Sequence, residues 1–366
     1  MPEPLKNVYN PAFFETFTAA VSGVLPRFRT KSFLQQVFNE GWQSKELKQR
    51  MRHIAAGLKN HLPGMYKEQV HTIIQIIEQL ESAGVKGGFE YMFLPDFVEQ
   101  YGLNDLKTSL QAMESITQFV SCEFAIRPFL LKHPGEVMGQ MLQWSRHPHH
   151  HVRRFASEGC RPRLPWAVAI PQLKKDPSAI LPILENLKKD ESLFVRKSVA
   201  NNLNDIAKDH PDVVAELAKR WKGVSAETDW VVRHGCRTLL KKAHPSTYAL
   251  FGLDAASVFE VKNLKLSQKC LRIGDRMQFS FLLKTGNEPS RLRLEYAVYY
   301  VKANGEWSRK IFQLTEKIFS PNQTVTFEKV QRLQDFTTRK HYPGQHKLAI
   351  VVNGKEVAEK AFVLAP

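Results

Sequence analysis

The triplets Val152-Arg153-Arg154, Val195-Arg196-Lys197 and Val232-Arg233-His234 recur along the chain at separations of 43 and 37 residues. Loop-forming or capping residues precede each triplet and apolar residues follow it at helical spacing, so each triplet is expected to open a helix. A repeat of about 40 residues with two helices per unit is typical of HEAT-type solenoids. The triplets therefore predict stacked helix pairs that present equivalent faces.

The helical pattern extends from Pro11 to about Ala249. Combinations of Pro and Gly that end helices, such as Leu62-Pro63-Gly64, interrupt it at short intervals. One apolar stripe at helical spacing consists of Val70, Ile73, Ile74, Ile77 and Leu80. The pattern predicts an all-helical first domain over residues 1–252.

After Gly252-Leu253-Asp254 the apolar residues alternate instead. Asn304-Gly305 and Asn353-Gly354 are typical of tight hairpins. Seven strands are predicted: Phe259–Leu266, Arg272–Leu283, Leu292–Tyr300, Lys310–Leu314, Thr324–Lys329, Gln345–Val352 and Glu356–Val363. This pattern indicates a disulfide-free immunoglobulin-like sandwich over 255–366. The predicted fold class is mainly α: a HEAT-like helical repeat solenoid followed by a small all-β immunoglobulin-like sandwich.

Length and composition set the broad class. A chain of 366 residues exceeds the size of a single hydrophobic core, which favours two domains. No apolar run approaches a membrane span, and the amino terminus lacks the features of a secretory signal. Four cysteines without a CxxC pair are expected to be reduced. We therefore expect a cytoplasmic protein.

The net charge of +16 indicates a polyanionic partner. Nucleic acid is the first candidate, and an anionic membrane surface ranks last. Residues 255–366 carry 19 Lys and Arg against 10 Asp and Glu, so the β domain is the denser cation. Stacked arginines of the triplets would form a basic track for phosphates. The alternative, left open, is that they pair with acidic residues of adjacent repeats.

The segments richest in candidate functional residues are SCEFAIRPFL at 121–130 and VRRFASEGCRPRLPW at 152–166. The second predicts a helix that carries Glu158, ends at Gly159, and continues into a turn stiffened by two prolines. Because proline presets φ and prevents a helix, this turn is expected to direct Arg161, Arg163 and Trp166 outward.

These segments, with VRHGCRTLLKKAHP at 232–245, resemble the AlkC branch of the bacterial DNA alkylation-repair glycosylases, relatives of AlkD. The resemblance covers most of the helical part, and some AlkC members carry an immunoglobulin-like domain at the carboxy terminus. It implies a DNA-3-methyladenine glycosylase that acts on duplex DNA, with 3-methylcytosine as a further candidate substrate. It also implies that the damaged base is not fully extruded from the duplex.

The chemistry expected of such an enzyme needs no cofactor. A base alkylated at N3 is cationic and leaves readily, so the enzyme must stabilise an oxocarbenium-like sugar and position a water. The predicted catalytic residues are Glu123 and Glu158, on neighbouring helices, and Trp166, whose ring would lie against the cation. Which carboxylate holds the water is left open. Asp205 is a weaker candidate for the same face.

Each of these residues also has a structural interpretation. Glu123 would pair with Arg127, Glu158 with Arg154 or Arg161, and Trp166 would be a core aromatic. AlkD-like relatives have a tryptophan near the position of Asn201, and this departure shifts the aromatic role to Trp166. The competing function is a non-catalytic HEAT-repeat DNA-binding or scaffold protein.

Phosphate contacts are predicted from the basic residues near the triplets: Arg154, Arg161, Arg163, Lys197, His234 and Arg237. The first arginine of each triplet is expected to point inward or to a neighbouring repeat. His147, His149, His150 and His151 lack further ligand types nearby, so no metal is predicted. We expect a monomer that binds double-stranded DNA containing alkylated bases and no membrane. A basic loop of the β domain is a further candidate for DNA contact, which the sequence leaves open.

Overall fold

The structure is a computed structural model that describes residues 3–254, 256–335 and 340–366. Its contacts group the chain into two compact units, Met1–Val214 with Arg220–Gly235, and Ala215–Lys219 with Cys236–Pro366. The domain boundary between residues 252 and 255 stays a prediction of where the chain divides into folding units.

Helices fill the described residues up to Leu250, as the sequence predicts. None of the helices in the described ranges is long and apolar enough to cross a membrane. Short 3₁₀-helices form at Leu5–Val8 and Phe89–Tyr91. The α-helices are α1 (Pro11–Val24), α2 (Thr30–Val37), α3 (Leu47–His61), α4 (Tyr66–Ser82), α5 (Phe93–Tyr101), α6 (Leu106–Phe119), α7 (Ile126–Lys132), α8 (Pro134–Trp144), α9 (His150–Gly159), α10 (Pro171–Lys175), α11 (Leu181–Leu187), α12 (Leu193–Ile206), α13 (Pro211–Trp221), α14 (Ala226–Gly235), α15 (Arg237–Lys241) and α16 (Pro245–Leu250).

The triplets occupy three helices of the array, and α12 packs against both α9 and α14. Val152, Val195 and Val232 are all buried, at 1% exposure or less, so the triplet valines form part of the repeat core. Val152 and Val195 lie in the first turns of α9 and α12, as predicted. The prediction for the third triplet is wrong, because α14 begins at Ala226, six residues before Val232.

The first triplet arginine joins two repeats. Arg153 donates from Nε to Oδ2 of Asp190 across 2.6 Å, and from Nη2 to Oδ1 across 3.1 Å. Asp190 lies in the loop before α12, with a side chain only 5% exposed. The predicted orientation toward a neighbouring repeat is therefore confirmed for Arg153, and this guanidinium holds the array together.

Eight strands form two sheets in the described residues after Leu250, and their inner faces share an apolar core that includes Phe279, Tyr296 and Ile350. One sheet has the order β1-β3-β6 and the other β2-β8-β7-β4-β5. All neighbours pair antiparallel except β2 and β8, which are parallel. The strands are β1 (Phe259–Leu266), β2 (Cys270–Arg272), β3 (Arg276–Thr285), β4 (Ser290–Val301), β5 (Trp307–Phe319), β6 (Thr324–Arg332), β7 (Gly344–Val352) and β8 (Lys355–Ala365).

The sandwich differs from the predicted one in strand number. The segment expected as one strand, Arg272–Leu283, is divided between β2 and β3, because Gly274 has φ +105° and turns the chain. Both predicted hairpins are confirmed, with Gly305 at φ +81° and Asn353 and Gly354 at φ +43° and +79°. These left-handed values are those that tight hairpin turns require.

Candidate active site at the end of helix α9

The carboxy-terminal end of α9 lies close against α7 and α8. A Cβ atom at Gly159 would lie 2.8 Å from Cε of Met141 and 2.9 Å from Cγ2 of Ile126. A side chain on this residue would displace both neighbours, so glycine permits the approach. The helix therefore ends at a fixed point, from which the chain continues into the Arg-Pro-Arg-Leu-Pro-Trp turn.

The turn after α9 is held by a buried arginine of α7. Arg127 donates from Nη1 to the carbonyl oxygens of Gly159, at 3.1 Å, and Arg161, at 2.6 Å, and from Nε to that of Val168, at 2.7 Å. Burial lowers the pKa of Arg127 to about 10. Because one planar guanidinium binds both ends of the segment, the turn has a defined conformation.

A buried polar network fixes α9 against α12. Ser198 donates to Oγ of Ser157 across 3.0 Å, and the side-chain amide of Asn202 donates to the carbonyl oxygen of Ser157 across 2.9 Å. All three residues are at most 2% exposed. Buried hydrogen bonds of this kind favour one packing arrangement, although Oδ1 of Asn202 has no hydrogen-bond partner. They place the ends of the two helices, and hence their carboxylates, side by side.

Two carboxylates from these helices share one cation. Glu158 accepts from Nη1 of Arg161 at 2.6 Å, and Asp205 accepts from Nε of Arg161 at 2.9 Å. Lys208 lies 3.1 Å from the other oxygen of Asp205. Burial alone would lower the pKa of Arg161, but Glu158 and Asp205 together raise it. The guanidinium therefore stays charged between two acidic groups.

The third carboxylate lies on the other side of Glu158. Glu123, in the turn before α7, forms an ion pair with Arg154 and accepts from Oγ of Ser121 at 2.8 Å. Nη2 of Arg154 is 3.6 Å from Oε1 of Glu158, and its guanidinium lies 4.8 Å from the ring centroid of Phe194. Arg154 thus connects Glu123 to Glu158, as Arg161 connects Glu158 to Asp205.

Trp166 stands at the end of the same turn with its side chain in solvent. The residue is 71% exposed and has φ +64°, a conformation that bulky residues rarely adopt. Its carbonyl oxygen accepts from Nζ of Lys48, whose ammonium lies 4.6 Å above the ring of Phe124. An exposed aromatic residue whose backbone is strained is typical of functional sites.

A solved structure and a family model identify the family. The chain matches, over 100% of both chains, the structure titled Pseudomonas fluorescens alkylpurine DNA glycosylase AlkC bound to DNA containing an abasic site analog, with 35% identity and a TM-score of 0.94. The chain belongs to the AlkC-like DNA alkylation repair enzymes. Its residues 104–239 match the family model of the DNA alkylation repair enzyme.

Two further matches cover the remainder of this AlkC-like chain. Residues 260–366 match the family model described as uncharacterised protein YhaZ, C-terminal Ig-like domain. The uncharacterized protein YhaZ of Bacillus subtilis strain 168 is 43% identical over 351 residues, which is 96% of each chain. The predicted resemblance and fold class are therefore confirmed.

The structure corrects two expectations about the site of this AlkC-like protein. Arg161 does not point outward: it is 7% exposed and is held between Glu158 and Asp205, so a phosphate contact by this guanidinium would require both pairs to break. Glu123 does not pair with Arg127, because backbone carbonyl oxygens accept the hydrogen bonds of that guanidinium. Glu123 also lies outside a helix, in the turn before α7, which begins at Ile126. The structural interpretation of Glu158 is confirmed, since this carboxylate pairs with both Arg154 and Arg161. The interpretation of Trp166 as a core aromatic is wrong, since the residue is exposed.

The other predicted phosphate ligands differ in environment. Arg163 forms a two-bond pair with Asp209, at 3.0 and 2.6 Å, and remains partly exposed. Lys197 is exposed on α12. The imidazole of His234 stacks on the indole of Trp230, with centroids 5.1 Å apart. Arg237, the first residue of α15, is partly buried. Their contact with DNA stays a prediction.

The histidines at the start of α9 pack against one another rather than around a common point. The rings of His150 and His151 are 4.3 Å apart, and Nδ1 of His151 contacts the carbonyl oxygen of Gln118 at 2.7 Å. Across residues 3–254, 256–335 and 340–366, the structure places no group of three or more His, Cys, Asp or Glu side chains to hold a metal ion.

The sequence did not single out several residues that build the site. The sequence pattern indicates Arg127 only as a partner for Glu123, and it assigns no role to Lys48, Ser157 or Asn202. Lys48 lies 118 residues from Trp166, and no local spacing connects the two. Only the position of Arg127 could have been predicted to matter, because an arginine among apolar residues at a helix start needs buried hydrogen-bond acceptors.

Proposed function

We propose that this AlkC-like protein hydrolyses the N-glycosidic bond of cationic N3-alkylated bases, chiefly 3-methyladenine, in duplex DNA. The observation that carries the proposal is the row of three carboxylates, Glu123, Glu158 and Asp205, which Arg154 and Arg161 connect. The exposed Trp166 lies at the end of the turn that carries Arg161. The solved relative is an alkylpurine DNA glycosylase bound to DNA with an abasic site analog, which supports both the reaction class and the partner.

The reaction needs negative charge and a water, and no acid. An N3-alkylated adenine in DNA carries a positive charge, so the bond to C1′ breaks with both electrons going to the base, which leaves neutral. The positive charge then resides on the sugar, where nearby carboxylates stabilise it. Water adds to C1′, and its proton passes to a carboxylate and then to solvent. An uncharged base would need protonation to leave, which explains selectivity for cationic lesions.

Separate roles are assigned by environment. Glu158, in contact with both Arg154 and Arg161, is the central carboxylate and stabilises the sugar cation. Glu123 or Asp205, at the two ends of the row, holds the water. Trp166 lays its exposed ring against the cationic sugar, an interaction that contributes about 0.5–2 kcal/mol.

The protein approaches DNA from the sugar-phosphate side in this proposal, so the base need not leave the stack before its bond breaks. Arg163 and Lys197 have exposed or partly exposed charges that would contact phosphates and would not read sequence. Monomeric action and a cytoplasmic, nucleoid-associated location belong to the same proposal.

The deciding experiment is incubation of the full chain with methylated duplex DNA, followed by chromatography of the released bases. Time-dependent release of 3-methyladenine supports the proposal, and the amount of 3-methylcytosine and 7-methylguanine released defines the substrate range. If no base is released while DNA is bound, the protein is a non-catalytic DNA-binding module instead.

A further inference from the structure

A cavity of about 260 Å³ lies between α3, α5 and residues 166–168, beside the proposed catalytic row. Met92 and Ser121 line both this cavity and a neighbouring one of about 410 Å³ that contains Glu123 and Arg154. The smaller cavity therefore adjoins the one that Glu123 and Arg154 line. Its walls include Met51, Met92, Asp96, Glu99, Phe124 and Trp166.

Two carboxylates in this cavity have no part in the proposed mechanism. Nη1 of Arg52 is 3.1 Å from Oε1 of Glu99 and 3.8 Å from Oδ1 of Asp96, and Gln100 donates to Oδ2 of Asp96 across 2.6 Å. The side chains of Asp96 and Glu99 are 17% and 18% exposed, whereas that of Arg52 is 56% exposed. Burial, with a smaller effect of Glu99, raises the pKa of Asp96 to about 6. Asp96, Glu99 and Arg52 all line the cavity, and the two carboxylates are the less exposed groups.

The rest of the lining suits a flat ring. Phe124 and Trp166 supply aromatic surface, and the thioethers of Met51 and Met92 supply polarisable contacts that adapt to a ligand. The volume is slightly below the about 300–1,000 Å³ of drug-sized sites, which suits a ligand the size of one base. Lys48 and Arg52 line the cavity as well, so its formal charges balance, and the two carboxylates can accept hydrogen bonds from exocyclic amines.

We propose that this cavity receives the N-alkylated purine base after its bond to deoxyribose has broken, an inference that rests on the proposed glycosylase function. The exocyclic amine of the released base donates to Asp96 and Glu99, and the ring lies against the thioethers of Met51 and Met92. Entry follows cleavage, so the base need not be extruded while it is still attached. Removal of the base from the duplex keeps it away from the sugar cation.

The test is calorimetric titration of the full chain, without DNA, with free 3-methyladenine. We expect saturable binding at one site, weakened at least about tenfold in the double variant Asp96→Asn with Glu99→Gln, the effect of losing charge-assisted hydrogen bonds. Glu136→Gln, a carboxylate outside the cavity, is the matched control and should bind as the wild type does. No saturable binding, or equal binding by the double variant, would overturn the inference.

A parallel measurement separates this inference from the proposed function. The first-turnover release of 3-methyladenine from methylated DNA should be unchanged in the double variant. Base release without binding of the free base removes the cavity assignment and leaves the glycosylase. Should the double variant fail to fold, the single variant Glu99→Gln replaces it. The partner of Glu99, Arg52, is already solvated, so loss of the Glu99 charge leaves no unpaired charge buried.

Discussion

Glu158 and Asp205 come from consecutive repeats and share a single guanidinium, that of Arg161, at 2.6 and 2.9 Å. The two carboxylates are 5% and 2% exposed, so bulk solvent screens neither charge effectively. The cation therefore sets the distance between two acidic groups of the proposed site. It also couples the end of α9 to the end of α12.

Replacement of Arg161 by methionine should destabilise the protein. Breaking a buried ion pair from one side costs about 3–5 kcal/mol, because it leaves a buried charge with weaker compensation. Glu158 would keep its contact with Arg154, at 3.6 Å, and Asp205 would keep its contact with Lys208, at 3.1 Å. We therefore expect a loss of stability toward the lower end of this range.

Urea unfolding measures this loss. Arg163→Met is the matched control, because its pair with Asp209 is partly exposed and contributes roughly 0–1 kcal/mol. Arg161→Lys, which keeps the charge, should recover part of the stability. An Arg161→Met variant as stable as the Arg163→Met control would contradict the assigned position of this cation.

Glu158→Gln should stop catalysis while leaving DNA binding intact. The amide keeps the shape and can still accept from Arg161, but it carries no charge to stabilise the sugar cation. Loss of such electrostatic stabilisation costs about 10²–10³ in rate. First-turnover release of 3-methyladenine and fluorescence anisotropy of labelled duplex measure rate and affinity. The control is Glu191→Gln, which removes an 88% exposed carboxylate. Unchanged release by Glu158→Gln would remove its proposed role.

Local spacing predicted part of this site from the sequence. Glu158 is four residues after Arg154 and three before Arg161, and helical geometry brings such neighbours together. The hairpins at Asn304-Gly305 and Asn353-Gly354 were predictable for the same reason, since the turn residues determine the backbone. Each of these predictions depends on residues within one element.

Tertiary contacts account for what the sequence did not reveal. Arg161 reaches Asp205 across 44 residues and Arg154 reaches Glu123 across 31. Which arginine meets which carboxylate depends on how α9 packs on its neighbours, and periodicity does not determine that packing. The prolines of the turn restrict the backbone of Arg161 but not the direction of its side chain. The sequence therefore did not predict that this side chain points inward and binds Asp205.

Lys197→Ala should weaken DNA binding at all sequences equally and reduce the slope of log affinity against log salt by about 1, the effect of one lost phosphate contact. Its thermal stability should be unchanged, because the side chain is exposed. Arg153→Ala is the informative comparison. It removes the inter-repeat pair with Asp190 and should lower stability without changing the salt slope. Equal slopes for Lys197→Ala and the wild type would show that Lys197 does not contact DNA.

Trp166 allows stability and activity to be separated in one residue. Its φ of +64° is strained for any residue with a side chain, and 71% of it is exposed, so the fold gains little from the indole. Trp166→Gly should therefore raise the free energy of unfolding by about 1 kcal/mol, because glycine tolerates this conformation. The same variant should lower first-turnover base release by roughly 2- to 30-fold, the equivalent of a lost cation–π contact.

Trp166→Phe is the matched variant, since it retains an aromatic face and the backbone strain. It should keep wild-type stability and most of the activity, which distinguishes a role of the ring from a role of the backbone. Chemical unfolding and single-turnover release on methylated duplex provide both readouts on the same preparations. A Trp166→Gly protein that is less stable than the wild type would show that the indole packs against the turn after all. One that is fully active would place the sugar cation elsewhere, against the carboxylates alone.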